Sequence, residues 1–526
     1  MVLAQFSLKD NYWEEFELLD DDIQILYNHL LEVETPLTPE ELISVLVEKR
    51  IQREIKVIEE QRLAGGEIYL PKESYEVDQK IVFPSLNWQQ GDVLSVRKGW
   101  NPDLGDFDVI EVKFDDGEKR EFASNLDDHQ LNQPPDVKED SGATPEGVIS
   151  SYGDDLIEKL EIGLESNPDF VRIAFRWFPR ALLIDVTTGH LNLAEAILDM
   201  AGGGPLQTSE LLSQIEMPGN ENPKLVEFSL DLALQEDDRF DEVGPAGEIL
   251  WFLERLEPEG VRESPSVLRY REIDYDENLI STEMKKLIRN LDDEFSPIKT
   301  DPEIGEDVAI RLLYPHLRAG TMPLTTRVQP FFPTAYEAPR IRFILVDGDS
   351  GEKFPGWVVR SGSYVFGLEA WYRERELMPG SIVRVSRGDT PGEVIVKVDT
   401  QRSRRDWVRT VLVGTDGGMV FAMLKQVVTA AYDEHLAIMV PDLDILDQVW
   451  EQRRKNQPPF EGIVVNIVRE LTKLNPQGHV HSNELYAAVN LIRRCPPEPI
   501  LALLASRQWF VHVGDLHYRF DDSAES

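Results

Sequence analysis

Gly204-Pro205-Leu206-Gln207-Thr208-Ser209-Glu210-Leu211 is the stretch on which the fold turns, because two other segments repeat its plan. Pro36-Leu37-Thr38-Pro39-Glu40-Glu41-Leu42 and His479-Val480-His481-Ser482-Asn483-Glu484-Leu485 set an apolar anchor, a hydroxyl residue, a glutamate and a leucine in the same order. The phrase reads as a loop pinned by Leu206, Leu37 or Val480, then a helix capped by Thr or Ser with a glutamate in its positive first turn. Thr38-Pro39-Glu40-Glu41 is a full capping box with Pro at the first helical position. No fixed period separates the copies.

Working outward, each phrase follows an amphipathic helix, predicted over 22–33, 191–200 and 463–474. Ile23, Leu26, Leu30 and Val33, and again Val464, Ile467, Leu471 and Leu474, recur three or four residues apart. A third helix is expected over 53–63, 224–235 and 500–507. The second and third copies then end alike, in Phe240-Asp241-Glu242-Val243-Gly244 and Phe510-Val511-His512-Val513-Gly514, each before a short aromatic strand at 249–252 or 517–520. Helix, capped helix, helix and strand-turn-strand is the order of a winged helix, with a longer, altered wing in the first copy.

The second and third copies resemble the HARE-type winged-helix (HTH) family found in bacterial RNA polymerase delta subunits, restriction-associated proteins and chromatin regulators. Gly204–Leu211 and Trp509-Phe510-Val511-His512-Val513-Gly514 carry the resemblance. It implies transcription- or DNA-linked work by modules that often bind protein partners, RNA polymerase among them. The delta subunit joins such a module to acidic sequence, although here the acid is interleaved with folded patterns. A second resemblance concerns Gly356-Trp357-Val358-Val359-Arg360, Tyr364-Val365-Phe366-Gly367-Leu368, Trp371-Tyr372 and Leu377-Met378-Pro379-Gly380-Ser381. In rhythm this run is similar to the pseudobarrel DNA-binding domain of plant transcription factors, with Ser381 where that family usually has Asp.

Strands are expected at 341–346, 356–360, 363–366, 381–385 and 393–398, parted by Gly, Asp and Pro turns. A smaller barrel of the Tudor-like kind is read from the alternating runs Gly91–Arg97 and Asp108–Phe114 and the turn Asp115-Asp116-Gly117-Glu118. The resulting division is 1–84 (N-terminal segment and first winged helix), 85–131 (small barrel), 132–150 (linker) and 151–260 (helical lead-in and second winged helix). It continues with 261–308 (helical connector), 309–400 (pseudobarrel-like domain), 401–455 (connector with a basic cluster) and 456–526 (third winged helix). In the 401–455 connector, a strand pair is expected around Gly417-Gly418 and a helix near 421–432. The fold class is α+β, multidomain.

With 526 residues, 41% hydrophobic and 29% charged, the chain is too long for one core. No apolar run approaches the roughly 18–20 residues of a membrane span, and the first residues lack the basic and apolar regions of a signal peptide. A single cysteine, Cys495, excludes an intramolecular disulfide framework. These features point to the cytoplasm. The net charge of −42 is uneven: residues 1–300 hold 28 Lys and Arg against 66 Asp and Glu, and residues 301–526 hold 26 against 30. Since phosphate neutralisation dominates nucleic-acid affinity, the acidity of the N-terminal half serves solubility alone, or meets basic protein surfaces, or fends off nucleic acid, and any DNA contact falls to the C-terminal half. The dense cationic clusters there are Arg402, Arg404, Arg405 and Arg409, then Arg453, Arg454 and Lys455, then Arg493 and Arg494. The third helix of the second copy, with Lys224 against Glu227, Asp231 and Glu236, is not expected to read DNA.

Catalytic patterns are thin. Pro102-Asp103 with Glu111-Val112-Lys113 has the residue types of a Mg²⁺ nuclease, and the solvated face of a small barrel explains them equally. His479 with His481, and His512 with His517, read as surface or hydrogen-bonded imidazoles before they read as zinc ligands. Gly202-Gly203-Gly204 lacks the Lys-Ser/Thr of a phosphate loop. The expectation is a non-enzymatic adaptor without cofactor. Its acidic half engages protein and its C-terminal half touches nucleic acid weakly. The rivals are a metal-dependent restriction-type nuclease component and a protein scaffold that never meets DNA.

Overall fold

The computed structural model describes residues 12–63, 67–83, 86, 89–102, 105–114, 117–127, 129–132, 144–217, 222–303, 305–414 and 418–524. Helices and sheets alternate in an α+β, multidomain chain that divides into two units, Met1–Asp185 with Asn220–Ser229, and Val186–Gly219 with Leu230–Ser526. Among the described residues, no helix is long and apolar enough to cross a membrane.

The repeated phrase marks one arrangement used three times. In the C-terminal copy, helix Phe460–Thr472 leads through the short strand Val480–His481 into helix Ser482–Val489, helix Pro497–Ser506 and the hairpin Phe510–Gly514/His517–Phe520. The short strand pairs with the second hairpin strand, which becomes the centre of a three-stranded antiparallel sheet. The middle copy repeats this with Thr188–Met200, Leu206–Gln207, Thr208–Leu212, Pro223–Gln235 and the strands Phe240–Glu242 and Leu250–Leu253. Leu42, Leu211 and Leu485, the last residues of the three phrases, are fully buried, which is why the phrase persists. Trp177, Trp251 and Tyr518, on the second strands of the three hairpins, are buried as well.

The first copy corrects the expected boundaries. Pro39–Leu63 is one 25-residue helix, because no Gly or Pro interrupts Glu40 to Leu63, and no separate third helix begins at 53. The third helix is instead Pro145–Glu165, and the hairpin is Phe170–Ile173/Arg176–Pro179, with Leu37 bridging Trp177. The five-stranded sheet is therefore an insertion between the second and third helices. Residues 145–150 belong to this helix rather than to a linker, and residues 151–182 complete the first module rather than lead into the second. The inserted sheet runs Glu67–Ile68, Lys80–Phe83, Gln89–Asn101, Gly105–Phe114 and Lys119–Ser124 in sequential order, starting earlier than the expected residue 85. Phe83, Phe114 and Phe122 meet in its core with ring centroids 4.3–6.0 Å apart.

Capping differs between copies. Thr38 and Glu41 form the predicted box, the Thr38 amide donating to Glu41 at 2.9 Å and the Glu41 amide to the Thr38 hydroxyl at 3.3 Å. In the other two copies the hydroxyls tie the helix to the hairpin instead. The Trp251 indole N–H donates to Asp231 at 2.9 Å and to Thr208 at 3.1 Å, and Thr208 also donates to Asp231. Ser482 donates to the Leu516 carbonyl at 2.8 Å, and the helix is capped by His481, whose Nδ1 accepts from the Asn483 amide at 3.1 Å.

In the second unit a seven-stranded sheet curls into a nearly closed barrel. Its strand order is Asp307–Arg311, Ile382–Arg387, Glu393–Val398, Arg340–Asp347, Lys353–Val359, Tyr364–Phe366, Thr321–Pro323. All five expected strands are present. At the Met378–Ser381 turn, Gly380 has φ +93° and lies so close to Ala437 that a Cβ would sit 2.7 Å from it. The Ser381 hydroxyl accepts from the Met378 amide at 3.1 Å. Beyond the barrel, Thr400–Val413 and Met419–Ala430 form a long antiparallel ribbon. The expected helix near 421–432 is thus a strand, in keeping with the β-branched run Val427-Val428-Thr429.

Candidate nucleic-acid interface

The nine cations singled out in the sequence separate into three groups. Arg404, Arg405 and Arg409 lie on the ribbon, and the Arg402 side chain falls outside the described residues. Arg404 is held by Asp406 at 2.9 Å, whereas Arg405 is exposed with no carboxylate partner among the described residues. Across the strands Arg405 faces Val427, and exposed Trp407 faces Lys425, whose ammonium lies 5.3 Å over the indole.

Arg409 and Arg494 are corrections, since neither can reach a phosphate. Arg409 is buried, pairs with Glu484 at 2.6 Å and donates to the carbonyls of His435 and Ala437 at 3.3 and 3.1 Å. It fastens the ribbon to the helix start at Ser482. Arg494 is the hub of a buried network. Its guanidinium meets Asp293 and Glu294 at 2.7 Å each and Asn490 at 3.0 Å, and lies 4.9 Å over Phe295. Tyr486 donates to Asp293 at 2.5 Å, and His316 bridges Glu294 and Thr321 at 3.1 and 3.0 Å. Burial is the largest influence on Glu294 and would raise it, but Arg494 and His316 beside it outweigh burial and hold it below its ordinary value.

Arg453, Arg454 and Lys455 occupy the last turn of helix Leu443–Asn456, where cations complement the negative helix end. Arg453, Arg454, Arg493 and Arg494 are gathered around one cavity of about 540 Å³, together with Arg269, Arg271, Glu272, Glu451, Trp450 and Phe460. Six arginines against two glutamates is an unusual balance for so acidic a chain. Arg454 is paired with Glu451 at 3.2 Å and Arg269 with Glu263 at 3.2 Å. Arg271, Arg453 and Arg493 have no carboxylate partner among the described residues, and burial lowers Arg453 from its ordinary value. Arg269 and Arg271 were not among the nine, although Arg269-Tyr270-Arg271 is a legible basic run inside the 261–308 connector.

The third helices of the three modules carry no cationic face. Pro145–Glu165 has Glu146, Asp154, Asp155, Glu158, Glu161 and Glu165 against Lys159. Pro223–Gln235 has Lys224 against Glu227 and Asp231, and Pro497–Ser506 is largely buried and has no Lys or Arg.

The other motifs resolve locally. Asp103 lies outside the described residues. Glu111 is 3.7 Å from Lys119 on a neighbouring strand, and Lys113 is exposed. His435, His479, His481 and His517 form a chain of rings with centroids 4.5–4.8 Å apart, and His512 lies against Tyr518 at 5.1 Å. Among the described residues, no group of three or more His, Cys, Asp or Glu is arranged to hold a metal ion. Cys495 is buried, and burial pushes its thiol up, away from thiolate chemistry. Compared with protein-family models, curated proteins and solved structures, the chain matches none.

Proposed function

We propose that the three repeated modules are winged helices and that the chain is a non-enzymatic, transcription- or genome-associated adaptor. The observation that carries this reading is the order of three helices and a hairpin found three times on one chain, twice with a short strand between the first two helices and once with an inserted five-stranded sheet, together with the arginines of the second unit gathered at one cavity. The acidic or buried third helices argue that the modules serve protein contacts rather than major-groove reading. The N-terminal half, at 28 cations to 66 anions, is suited to basic protein surfaces, RNA polymerase being the partner class the winged-helix resemblance suggests. Nucleic-acid contact then falls to Arg405 on the ribbon and to Arg453, Lys455 and Arg493 near the cavity, as sequence-independent phosphate neutralisation.

Fluorescence anisotropy of labelled duplex DNA with the full chain, across a salt series without metal, tests this. Weak binding with a clear salt slope is expected, and Arg405→Ala with Arg453→Ala should flatten the log–log slope by about 0.9 for each phosphate no longer neutralised. Absence of binding at low salt, or a slope unchanged by these substitutions, would refute the nucleic-acid half of the proposal.

A further inference from the structure

The arginine cavity has features that phosphate neutralisation alone does not require. At about 540 Å³ it lies within the range of small-molecule sites, roughly 300–1,000 Å³, and is several times larger than a phosphate ion. Its lining is mixed. The Trp450 ring is fixed by its N–H donating to the Leu491 carbonyl at 2.7 Å, and Phe460 carries the Arg493 guanidinium 5.5 Å above its face. Arg453 is half-buried without an anionic partner among the described residues, which is costly unless an anion completes it. Planar guanidinium forks match phosphate oxygens, and indole and phenyl faces match a heterocyclic base. A glutamate-rich peptide would have no use for those two aromatic faces.

We infer that this cavity binds a free nucleotide, its phosphates held by Arg453 and Arg493 with Arg271 at the edge, and its base against Trp450. The inference goes beyond the adaptor reading and needs no duplex binding.

Isothermal titration calorimetry on the full chain at low salt, with AMP, ADP, GDP, UDP, adenosine and inorganic phosphate, tests it. At least one nucleotide should bind at least tenfold tighter than adenosine and than phosphate. Arg453→Ala and Arg493→Ala should each weaken that nucleotide about tenfold or more, with the thermal midpoint held, while Lys473→Ala, outside the cavity, leaves affinity unchanged. The inference is overturned by no heat from any nucleotide at millimolar concentration, by phosphate binding as tightly as nucleotide, or by wild-type affinity in both folded arginine variants. It is equally overturned if a 5′-phosphorylated oligonucleotide binds where free nucleotides do not. A chain that binds nucleotide but no duplex refutes the adaptor's nucleic-acid half alone, and the reverse result refutes the cavity assignment alone.

Discussion

Arg493 and Arg494 are adjacent in sequence and opposite in role, and substituting each in turn separates a buried hub from a cavity cation. In Arg494→Ala, Asp293 and Glu294 stay buried, at 0 and 3% side-chain exposure, and lose their shared guanidinium. Tyr486 still donates to Asp293 and His316 still faces Glu294, so the network is weakened rather than erased. Removing one partner from a buried ion pair costs about 3–5 kcal/mol, a large part of a typical 5–15 kcal/mol stability. At about 2–4 °C per kcal/mol, the thermal midpoint of the second unit should fall by roughly 6–20 °C, toward the lower end for so large a unit. Arg493→Ala, half-exposed and without a carboxylate partner, should cost no more than about 0.5 kcal/mol. Differential scanning calorimetry with urea titration reads both. A loss under about 1 kcal/mol for Arg494→Ala, or equal losses for the two neighbours, would refute the hub.

Further outcomes follow from the same geometry. Burial, with His435 and His517 beside it, lowers His481 from 6.5 to about 4. A base whose folded value is depressed contributes stability above the unfolded value and loses it as pH falls from 6.5 toward 4. After discounting for a half-exposed ring, that loss is about 1–2 kcal/mol, and His481→Gln should remove it from urea midpoints compared at pH 7.5 and 4.5. Glu484 raises His435, which contributes in the opposite sense, fully below pH 6.5 and fading as pH rises through its folded value. Trp251→Phe deletes the indole donor to Asp231 and Thr208 and should cost about 1–3 kcal/mol by near-UV circular dichroism melts. Duplex DNA incubated with the chain and Mg²⁺ should stay intact, and cleavage that disappears in Glu111→Ala would return the nuclease reading.

Much of the fold was legible because it rests on local pattern. Leu42, Leu211 and Leu485 close the three like phrases, and each is fully buried. The strands at 340–347 and 393–398 alternate with period two, as a half-buried sheet requires. The interrupted first module was not legible from its own neighbourhood, because its hairpin lies beyond the inserted sheet. Phe170-Val171 nevertheless echoes Phe510-Val511, and Trp177-Phe178 echoes Trp251-Phe252. The ribbon strand 419–430 deceived because Phe421, Leu424 and Val428 also fall at helical spacing. Site residues were harder still. Whether an arginine is exposed depends on partners far away in sequence: Arg494 is buried by Asp293 and Arg409 by Glu484, and a count of local charge sees neither. The cavity joins residues 266–273 to residues 450–494, a juxtaposition that only tertiary structure creates.

Hydrogen–deuterium exchange of the full chain with and without duplex DNA decides whether nucleic acid meets the exposed cations of the second unit rather than the third helices of the modules. Protection should concentrate at the end of helix Leu443–Asn456, around Arg493, and on the ribbon near Arg405, with none in Pro145–Glu165, Pro223–Gln235 or Pro497–Ser506. Protection centred on any of those three helices, with the ribbon and the cavity unchanged, would contradict contact at those cations.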